Sequence, residues 1–197
     1  EVAKLVASDA AEDDRFGNSV AIAGATVVVG ATQSFSGGSG AVYVFRTTDG
    51  GATYGQVAKL TASDAAAMDY FGTSVAIDGG TIVVGANLDD DGGRQSGSAY
   101  VFRTSDGGAT YSQVAKLTAS DGAEFDRFGH SVAIAGNTVV VGAWGDDSFA
   151  GSAYVFRTSD GGATYGQVAK LTADDAAAGD NFGNSVAIHG DRVVVGS

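Results

Sequence analysis

The stretch DRFGNSVAIAGATVVVGA (Asp14 to Ala31) decides the fold, because it recurs along the chain. Its Phe-Gly pair returns about every 55 residues, at Phe71-Gly72, Phe128-Gly129 and Phe182-Gly183. Two further segments recur with the same spacing: VAKL starts at Val2, Val57, Val114 and Val168, and YVFRT starts at Tyr43, Tyr100 and Tyr154. Motifs that recur together at one period indicate one structural unit that is copied along the chain.

Each unit contains four strand-like runs, which we name A to D in chain order. Run A (FGNSVAI) alternates large and small residues, and run B (TVVVGA) is apolar on both faces and should be buried on both. Run C (AVYVFRT) is rich in aromatic and β-branched residues, while run D (VAKLTAS) alternates as a half-wetted strand does. Short glycine-containing turns join A to B and C to D. The pattern predicts an all-β fold, a β-propeller of four-stranded antiparallel blades.

The repeat also predicts how the chain is divided. We place blades at about 14–63, 69–120 and 126–174, a partial blade at 180–197, and the outer strand of a preceding blade at 1–9. These segments form a single propeller region of about three and a half blades, a fragment of a larger propeller. Because such an array leaves strand edges exposed, we expect the missing blades or other copies of the same protein as partners.

Composition excludes several classes of function. The chain of 197 residues has no Cys and a formal net charge of −12, which argues against nucleic acid as a partner. No apolar run approaches the roughly 18 residues that a membrane-spanning helix needs, so we expect no direct membrane insertion. The sequence also lacks recognised spacings of catalytic residues, and we do not expect an enzyme.

The repeated segments DRFGNSVAIAGATVVVGA and DYFGTSVAIDGGTIVVGA resemble FG-GAP repeats, the blades of integrin α-chain-like propellers. The resemblance covers essentially the whole chain. It implies an extracellular or cell-surface adhesion and recognition module, and many members of that family bind calcium. Calcium-binding members carry an Asp-rich loop between FG and GAP, where this chain has only a three-residue turn. The resemblance therefore does not transfer the family's usual calcium site to this chain.

Most of the 23 acidic residues fall in the D-to-A and B-to-C connections, which lie at the same end of an antiparallel blade. The B-to-C loops differ most between repeats, reading TQSFSGGSG, NLDDDGGRQSG and WGDDSFAG. Binding sites are commonly built from variable loops on a rigid scaffold. Solvated loops also drift freely in sequence, and the pattern leaves both interpretations open.

Two sets of loop residues are candidates for a site. Calcium takes six to eight oxygen ligands, and the candidate ligands are Asp89, Asp90, Asp91, Asp146 and Asp147. Consecutive side chains of an extended segment point opposite ways, so help from another loop would be needed, and the alternative is a solvated acidic turn. Aromatic side chains in these loops could contact a sugar or protein or simply cover the blade end; the candidate ligand-binding residues are Trp144, Phe35, Phe149 and Arg94.

For the remaining polar residues, the sequence predicts structural roles or ordinary positions. An Asp recurs before every Phe-Gly pair and should accept backbone N–H bonds within its loop; these residues are Asp14, Asp69, Asp126 and Asp180. His130 and His189 fall at opposite ends of their blades, and we expect ordinary positions rather than ligands.

The sequence thus favours an extracellular or cell-surface recognition or adhesion module, which binds a protein or glycan through its acidic loop face, with calcium as the candidate cofactor. The alternative is a structural repeat protein whose near-identical blades assemble into a surface layer, sheath or appendage.

Overall fold

The computed structural model describes residues 3–33 and 37–197 and shows the predicted four-strand units. The first sheet consists of β1 (Phe16–Ala23), β2 (Thr26–Ala31), β3 (Ala41–Arg46) and β4 (Gly55–Leu60). The second consists of β5 (Ser74–Asp78), β6 (Thr81–Ala86), β7 (Ser98–Arg103) and β8 (Ser112–Leu117). The third consists of β9 (Ser131–Ala135), β10 (Thr138–Ala143), β11 (Ser152–Arg157) and β12 (Gly166–Leu171). The last sheet pairs β13 (Ser185–His189) with β14 (Arg192–Gly196).

Within each sheet the strands lie side by side in chain order and every pair is antiparallel. The only helical turn in the described part of the chain is α1 (Asp146–Phe149) in the third B-to-C loop, and it is not a regular α-helix, because Asp147 and Ser148 have left-handed backbone angles. The all-β fold of four-stranded blades is therefore confirmed. Residues 3–7 have the sequence of a D strand but form none, since the described residues include no C strand beside them; Ala7 is nevertheless buried against the first blade.

The order of strands from the propeller axis outward follows from contacts between blades. Strand β1 contacts β5, β5 contacts β9, and β9 contacts β13, so the A strands of successive blades adjoin each other. This places strand A nearest to the axis and strand D at the periphery. Strand B is nearly completely buried, as its apolar run predicted.

The Phe-Gly pair joins neighbouring blades in the second, third and fourth repeats. Phe71 precedes β5 and forms an isolated parallel bridge with Gly40 of the first blade. A Cβ atom on Gly40 would lie 2.0 Å from the Phe71 carbonyl oxygen, so the approach requires glycine. The Phe71 ring is fully buried and packs edge-to-face against Tyr100 and Phe102, at centroid distances of 5.5 and 5.9 Å. The motif thus fixes the spacing of adjacent blades.

Each complete blade has the same locked hairpin between strands C and D. In the second blade, the carboxylate of Asp106 accepts hydrogen bonds from the Thr104 hydroxyl, the Thr110 hydroxyl and the Thr110 backbone N–H, at 2.7, 2.6 and 2.9 Å. These bonds hold the pKa of Asp106 well below its usual range. Asp49 and Asp160 occupy the same position in the other two blades. These hairpins lie at the end of the blades opposite to the acidic loops.

The outer faces of the first and last blades are apolar. Val20 and Ile22 of β1 are each 66% exposed, and Val194 of β14 is 67% exposed. Their counterparts inside the array are partly or fully buried; Ile77 and Ile134, for example, pack between blades. The two end faces therefore present the same kind of surface that joins blades internally.

Candidate functional site

The acidic loops are organised by a lysine on strand D of each complete blade. Lys59, Lys116 and Lys170 lie opposite a tyrosine of strand C. In the second blade, the Lys116 ammonium lies 2.7 Å from Asp64 and 3.1 Å from Asp89, and it also contacts Asp91. Asp64 belongs to the loop that precedes this blade, whereas Asp89 and Asp91 belong to its own B-to-C loop. We call this arrangement the lysine latch, because it joins two loops distant in sequence.

The pKa shifts of Lys116 and Asp64 keep both side chains of this ion pair charged. Partial burial of Lys116 opposes its ionisation, but hydrogen bonds to Asp64, Asp91 and Tyr100 outweigh this effect and raise its pKa. Partial burial likewise opposes ionisation of Asp64, and its hydrogen bond from Lys116 lowers its pKa. Burial raises the pKa of Tyr100, whose hydroxyl therefore stays protonated and donates to Asp89 at 2.8 Å.

The other two blades have the same latch with different numbers of carboxylates. Lys170 lies 2.8 Å from Asp121, 2.7 Å from Asp146 and 3.5 Å from Asp147. Among the described residues Lys59 pairs with Asp9 alone, at 2.6 Å, and both side chains are substantially exposed. The carboxylates of the B-to-C loops in the second and third blades thus add buried ionic contacts that the described part of the first blade lacks.

This geometry bears directly on the predicted calcium ligands. Carboxylate oxygens of Asp64, Asp89 and Asp91 lie within 4.8 Å of one another, as a cation site requires. The Lys116 ammonium is within contact distance of all three, so the position of a bound cation is taken by a side chain of the protein. Asp90 points elsewhere and accepts a hydrogen bond from the backbone N–H of Gln95 at 2.6 Å. With the lysine in place, the residues do not fit a calcium ion.

Backbone hydrogen bonds fasten each B-to-C loop to the following D-to-A loop. The N–H of Phe125 donates to the Arg94 carbonyl at 2.8 Å, and the Phe149 carbonyl accepts from Gly179 and Asn181 at 3.0 and 2.9 Å. The recurring Asp before Phe-Gly closes the D-to-A loop: Asp126 accepts from the Ala123 N–H at 2.7 Å. Its sister residues make the equivalent bond, which confirms their predicted structural role; they are Asp14, Asp69 and Asp180. The loop face is therefore a rigid surface.

Aromatic and arginine side chains cluster on this face at the third blade. The rings of Trp144 and Phe149 lie 5.5 Å apart, and the Arg127 guanidinium lies 5.1 Å above the Trp144 ring. Next to them, Arg94 lies 5.4 Å from the centre of the Phe125 ring. Phe149 is 42% exposed and Phe125 is 36% exposed. We call these five residues the aromatic patch.

The structure brings two of the predicted ligand-binding residues into contact and places a third on the neighbouring loop. Trp144 and Phe149 touch, and Arg94 contacts the Phe125 ring on the neighbouring loop. The fourth, Phe35, lies outside the described residues. Phe125 and Arg127 were missed at the sequence level, because sister loops have Met68 and Tyr70 at these positions and no pattern distinguishes a contact residue there.

The loop that carries Phe149 has an unusual backbone. Asp147, Ser148 and Phe149 all have left-handed φ values, of 49°, 62° and 68°. Left-handed conformations cost about 1–2 kcal/mol for each non-glycine residue. Three in succession occur in no other B-to-C loop of the described chain. Strained residues concentrate at functional sites, and here the strain presents Phe149 to solvent.

A cavity of about 270 Å³ lies on the axial side of the aromatic patch. It is lined by His130, Trp144, Asn181, Asn184 and Ser197. The His130 and Trp144 rings meet edge-to-face at 5.8 Å. Their Nδ1 and Nε1 atoms are buried and have no hydrogen-bond partner among the described residues. Leaving a buried polar atom unpaired costs about 1–3 kcal/mol.

His130 is neutral in this setting. Burial lowers the pKa of His130 below its ordinary value, and the nearby Arg127 charge adds to this, although a hydrogen bond with Asn184 partly offsets both effects. His130 had been expected to be an ordinary position. The sequence did contain one indication: the sister repeats have Asn18, Thr73 and Asn184 at this position, so a histidine occurs there in one repeat only.

The blades and loop face define a propeller-type module for protein interaction or structural assembly. The FG-GAP repeat model matches residues 1–45, 54–102, 111–156 and 165–197, and the chain belongs to this family. None of the helices among the described residues has the length and apolar character needed to cross a membrane.

Comparison with solved structures supports the fold alone. The crystal structure of Saccharomyces cerevisiae Sqt1 matches with a TM-score of 0.53 and 12% sequence identity, over 84% of this chain and 37% of that one. This chain therefore spans little more than a third of that structure. A comparison with curated proteins gave no match.

Proposed function

We propose that this propeller region is an extracellular or cell-surface recognition module that binds a protein or glycan partner through the loop face of its third blade. The observation that carries the proposal is the aromatic patch, in which exposed Phe125 and Phe149 are held on a hydrogen-bonded, rigid surface. Rigid exposed aromatic side chains supply contact area at little cost in conformational entropy. FG-GAP repeats are typical of extracellular proteins, which supports the location.

The contrast between frame and loops also supports recognition. Strands A to D repeat almost unchanged between blades, and the Phe-Gly packing is the same in each. The patch is particular to the third blade, where the chain accepts a strained turn to present Phe149. A purely structural role would not require strained backbone conformations in the loop of one blade.

Charge would select among partners. Asp147 is 70% exposed despite its contact with Lys170, and Glu124 is exposed beside Phe125. A cavity of about 450 Å³ between the two loops is lined by both of these acidic residues and by the two exposed phenylalanines. Partners with basic side chains should therefore associate faster at low salt. The calcium prediction stays a prediction, and the latch geometry favours lysine over metal.

Binding can be tested with a labelled chain applied to a glycan array and to a displayed random-peptide library. The test variant is Phe125→Ser, and the matched control is Met68→Ser, which changes the equivalent exposed position of the second blade. We expect binders whose signal falls at least about tenfold in Phe125→Ser and persists in the control. Binders whose signal is unchanged in both variants, or an absence of binders, would contradict the proposal.

A second candidate function is structural assembly, and the exposed end faces favour it. Val20, Ile22 and Val194 could pack against further blades of the same kind. Analytical ultracentrifugation of the chain and of Val20→Asp tests this function. Concentration-dependent association that the aspartate abolishes would support it, and a monomer at all concentrations would count against it.

A further inference from the structure

We propose that the cleft beside Phe149 binds a lysine side chain of a protein partner, whose ammonium group pairs with the carboxylates of Glu124 and Asp147. The cleft is the cavity of about 450 Å³ between residues 121–126 and 145–149, and we call it the loop cleft. This inference rests on the proposed recognition function and names the chemical group that the partner presents. It selects a protein over a glycan as that partner.

Backbone contacts hold the two walls of the loop cleft together. The N–H of Gly145 donates to the Asp126 carbonyl at 3.1 Å. A Cβ atom on Gly145 would lie 2.0 Å from the Phe125 carbonyl oxygen, so this close approach of the walls requires glycine. The Phe149 carbonyl is fastened in turn to the loop that precedes the last blade, where it accepts from Gly179 at 3.0 Å. The cleft is therefore formed before a partner arrives, which lowers the cost of binding.

The lining of the loop cleft has an excess of negative charge. Its one cation among the described residues is Lys170, and its carboxylates are those of Asp121, Glu124, Asp126, Asp146 and Asp147. The chain itself engages three of them. Lys170 pairs with Asp121 and Asp146 at 2.8 and 2.7 Å, and the buried Asp126 accepts a backbone N–H.

The other two carboxylates are exposed, one on each wall. Glu124 is exposed, and none of the ion pairs of the described chain includes it. The Asp147 side chain is 70% exposed, and its distance to Lys170 is 3.5 Å, the longest in that latch. Phe125 and Phe149 add one exposed ring to each wall. A lysine side chain complements this lining, because an aliphatic stem that can lie along the rings carries its ammonium group.

The lysine latches show the same chemistry within the chain. In each complete blade, the latch ammonium lies 5.2 to 5.5 Å from the centre of a tyrosine ring and pairs with at least one carboxylate. Such an arrangement combines the attraction of a cation to a ring face with an ion pair. Phe149 shares the cleft lining with two exposed carboxylates, but none of the cation–ring contacts of the described chain involves it. The loop cleft thus has the ring and the carboxylates of a latch and leaves the ammonium to a partner.

Contacts elsewhere on the loop face favour an ammonium group over other cations. Arg94 and Arg127 lie over the rings of Phe125 and Trp144, and neither arginine forms an ion pair in the described chain. The rings that lie beside paired carboxylates carry lysine in all three complete blades. A calcium ion takes six to eight oxygen ligands, and phenyl rings supply none. The chemistry therefore points to an alkylammonium group, which a protein partner presents as lysine.

An NMR titration with a lysine peptide tests the proposal. The probe is acetyl-GGKGG-amide in about 150 mM salt, where attraction between distant exposed charges is largely screened. The amide signals of Phe125 and Phe149 should shift saturably, and that of Asp106 at the opposite blade end should not move. A dissociation constant of roughly 1 mM is sufficient. The same peptide with an acetylated lysine keeps the stem and loses the charge, so it should bind at least about tenfold more weakly; the peptide with arginine in place of lysine should also bind more weakly.

Two double variants separate the cleft from the general charge of the face. Glu124→Gln with Asp147→Asn keeps the shape of both side chains, and asparagine tolerates the left-handed backbone at position 147. It should weaken binding of the lysine peptide about tenfold. The matched control is Glu12→Gln with Asp13→Asn, which removes two exposed carboxylates from the D-to-A loop of the first blade. The control should leave the affinity unchanged.

Several results would overturn the proposal. Equal weakening in the two double variants would show attraction to the whole acidic face rather than to the loop cleft. Undiminished binding of the acetylated peptide, tighter binding of the arginine peptide, or shifts that do not saturate would also contradict it. If the lysine peptide does not bind while Phe125-dependent glycan or peptide binders remain, this inference fails and the recognition function stands. If those binders are absent too, both fail.

Discussion

Replacing Lys116 by methionine should reveal how much the lysine latch contributes. The lysine side chain is 21% exposed, and it neutralises Asp89, whose side chain is 4% exposed. Removing one partner of a buried ion pair costs about 3–5 kcal/mol, since the other charge remains buried. Methionine keeps most of the aliphatic contact, so the loss should be mainly electrostatic. Partial solvent screening places the expected loss near the lower limit, at about 3 kcal/mol.

The first blade provides a matched control. Lys59 has the equivalent position and tyrosine partner, but within the described chain it pairs with Asp9 alone, and the two side chains are 37% and 47% exposed. Exposed ion pairs contribute about 0–1 kcal/mol, so Lys59→Met should lose less than about 1 kcal/mol. For a chain of this size, the difference corresponds to roughly 4–8 °C in melting temperature. Urea unfolding and thermal melts of the two variants measure it.

The pH dependence of Lys116→Met gives a second and independent readout. Without the ammonium, three carboxylates remain within 4.8 Å of one another, and their mutual repulsion is relieved only when the pH is low enough to protonate them. The loss of stability relative to the parent should therefore be smaller at acidic pH than at neutral pH. The same cluster should gain stabilisation by calcium, which the parent chain should not show. Equal losses in the two lysine variants, or a Lys116→Met protein as stable as the parent, would refute the latch.

Further predictions concern the frame. Phe128→Ala removes a fully buried ring and should lower the free energy of unfolding in urea by about 3–5 kcal/mol. Phe16→Ala removes a half-buried ring and should lower it by less. Gly97→Ala puts a Cβ 2.0 Å from the Phe128 carbonyl at a φ of +83°, and it should destabilise far more than Gly79→Ala, which meets nothing within 4 Å. The pKa of Asp106 is lowered by its threonine bonds, so its contribution is present above the unfolded pKa and lost as the pH falls below it. Carboxyl NMR titration should find Asp106 ionised well below its usual range, and Thr110→Val should bring its pKa back toward normal.

Much of the fold could be predicted because the repeat is nearly verbatim. The period, the four runs and the turn glycines gave the antiparallel blade, and the apolar run B was correctly expected to be buried on both faces. The role of Phe-Gly was harder to predict, because Phe71 belongs to a bridge between blades rather than to strand A. An alternating pattern describes one sheet and carries no information about the contact of a residue with the next sheet.

The site was predicted only in part, because its residues come from segments that are distant in sequence and meet only in the folded chain. Asp64 and Asp89 were assigned to loops at the same blade end, but their common partner Lys116 looked like a solvent-facing residue of strand D. Trp144 and Phe149 were recognised as candidate contact residues by chemistry alone. The left-handed turn of Asp147 to Phe149 is a three-dimensional fact, and one sequence has no pattern that encodes it.

The most direct test of the recognition surface is a loop exchange within the chain. Residues 144–150 (WGDDSFA) are replaced by residues 87–96 (NLDDDGGRQS), which supply carboxylates for Lys170 and should preserve the blade. The control exchanges the A-to-B turn 135–137 for residues 78–80 at the opposite end. Binding of both proteins to the glycan array and to the selected peptides is then compared with that of the parent. We predict that the loop exchange abolishes binding and that the control retains it; undiminished binding by the folded loop-exchange protein would contradict the account.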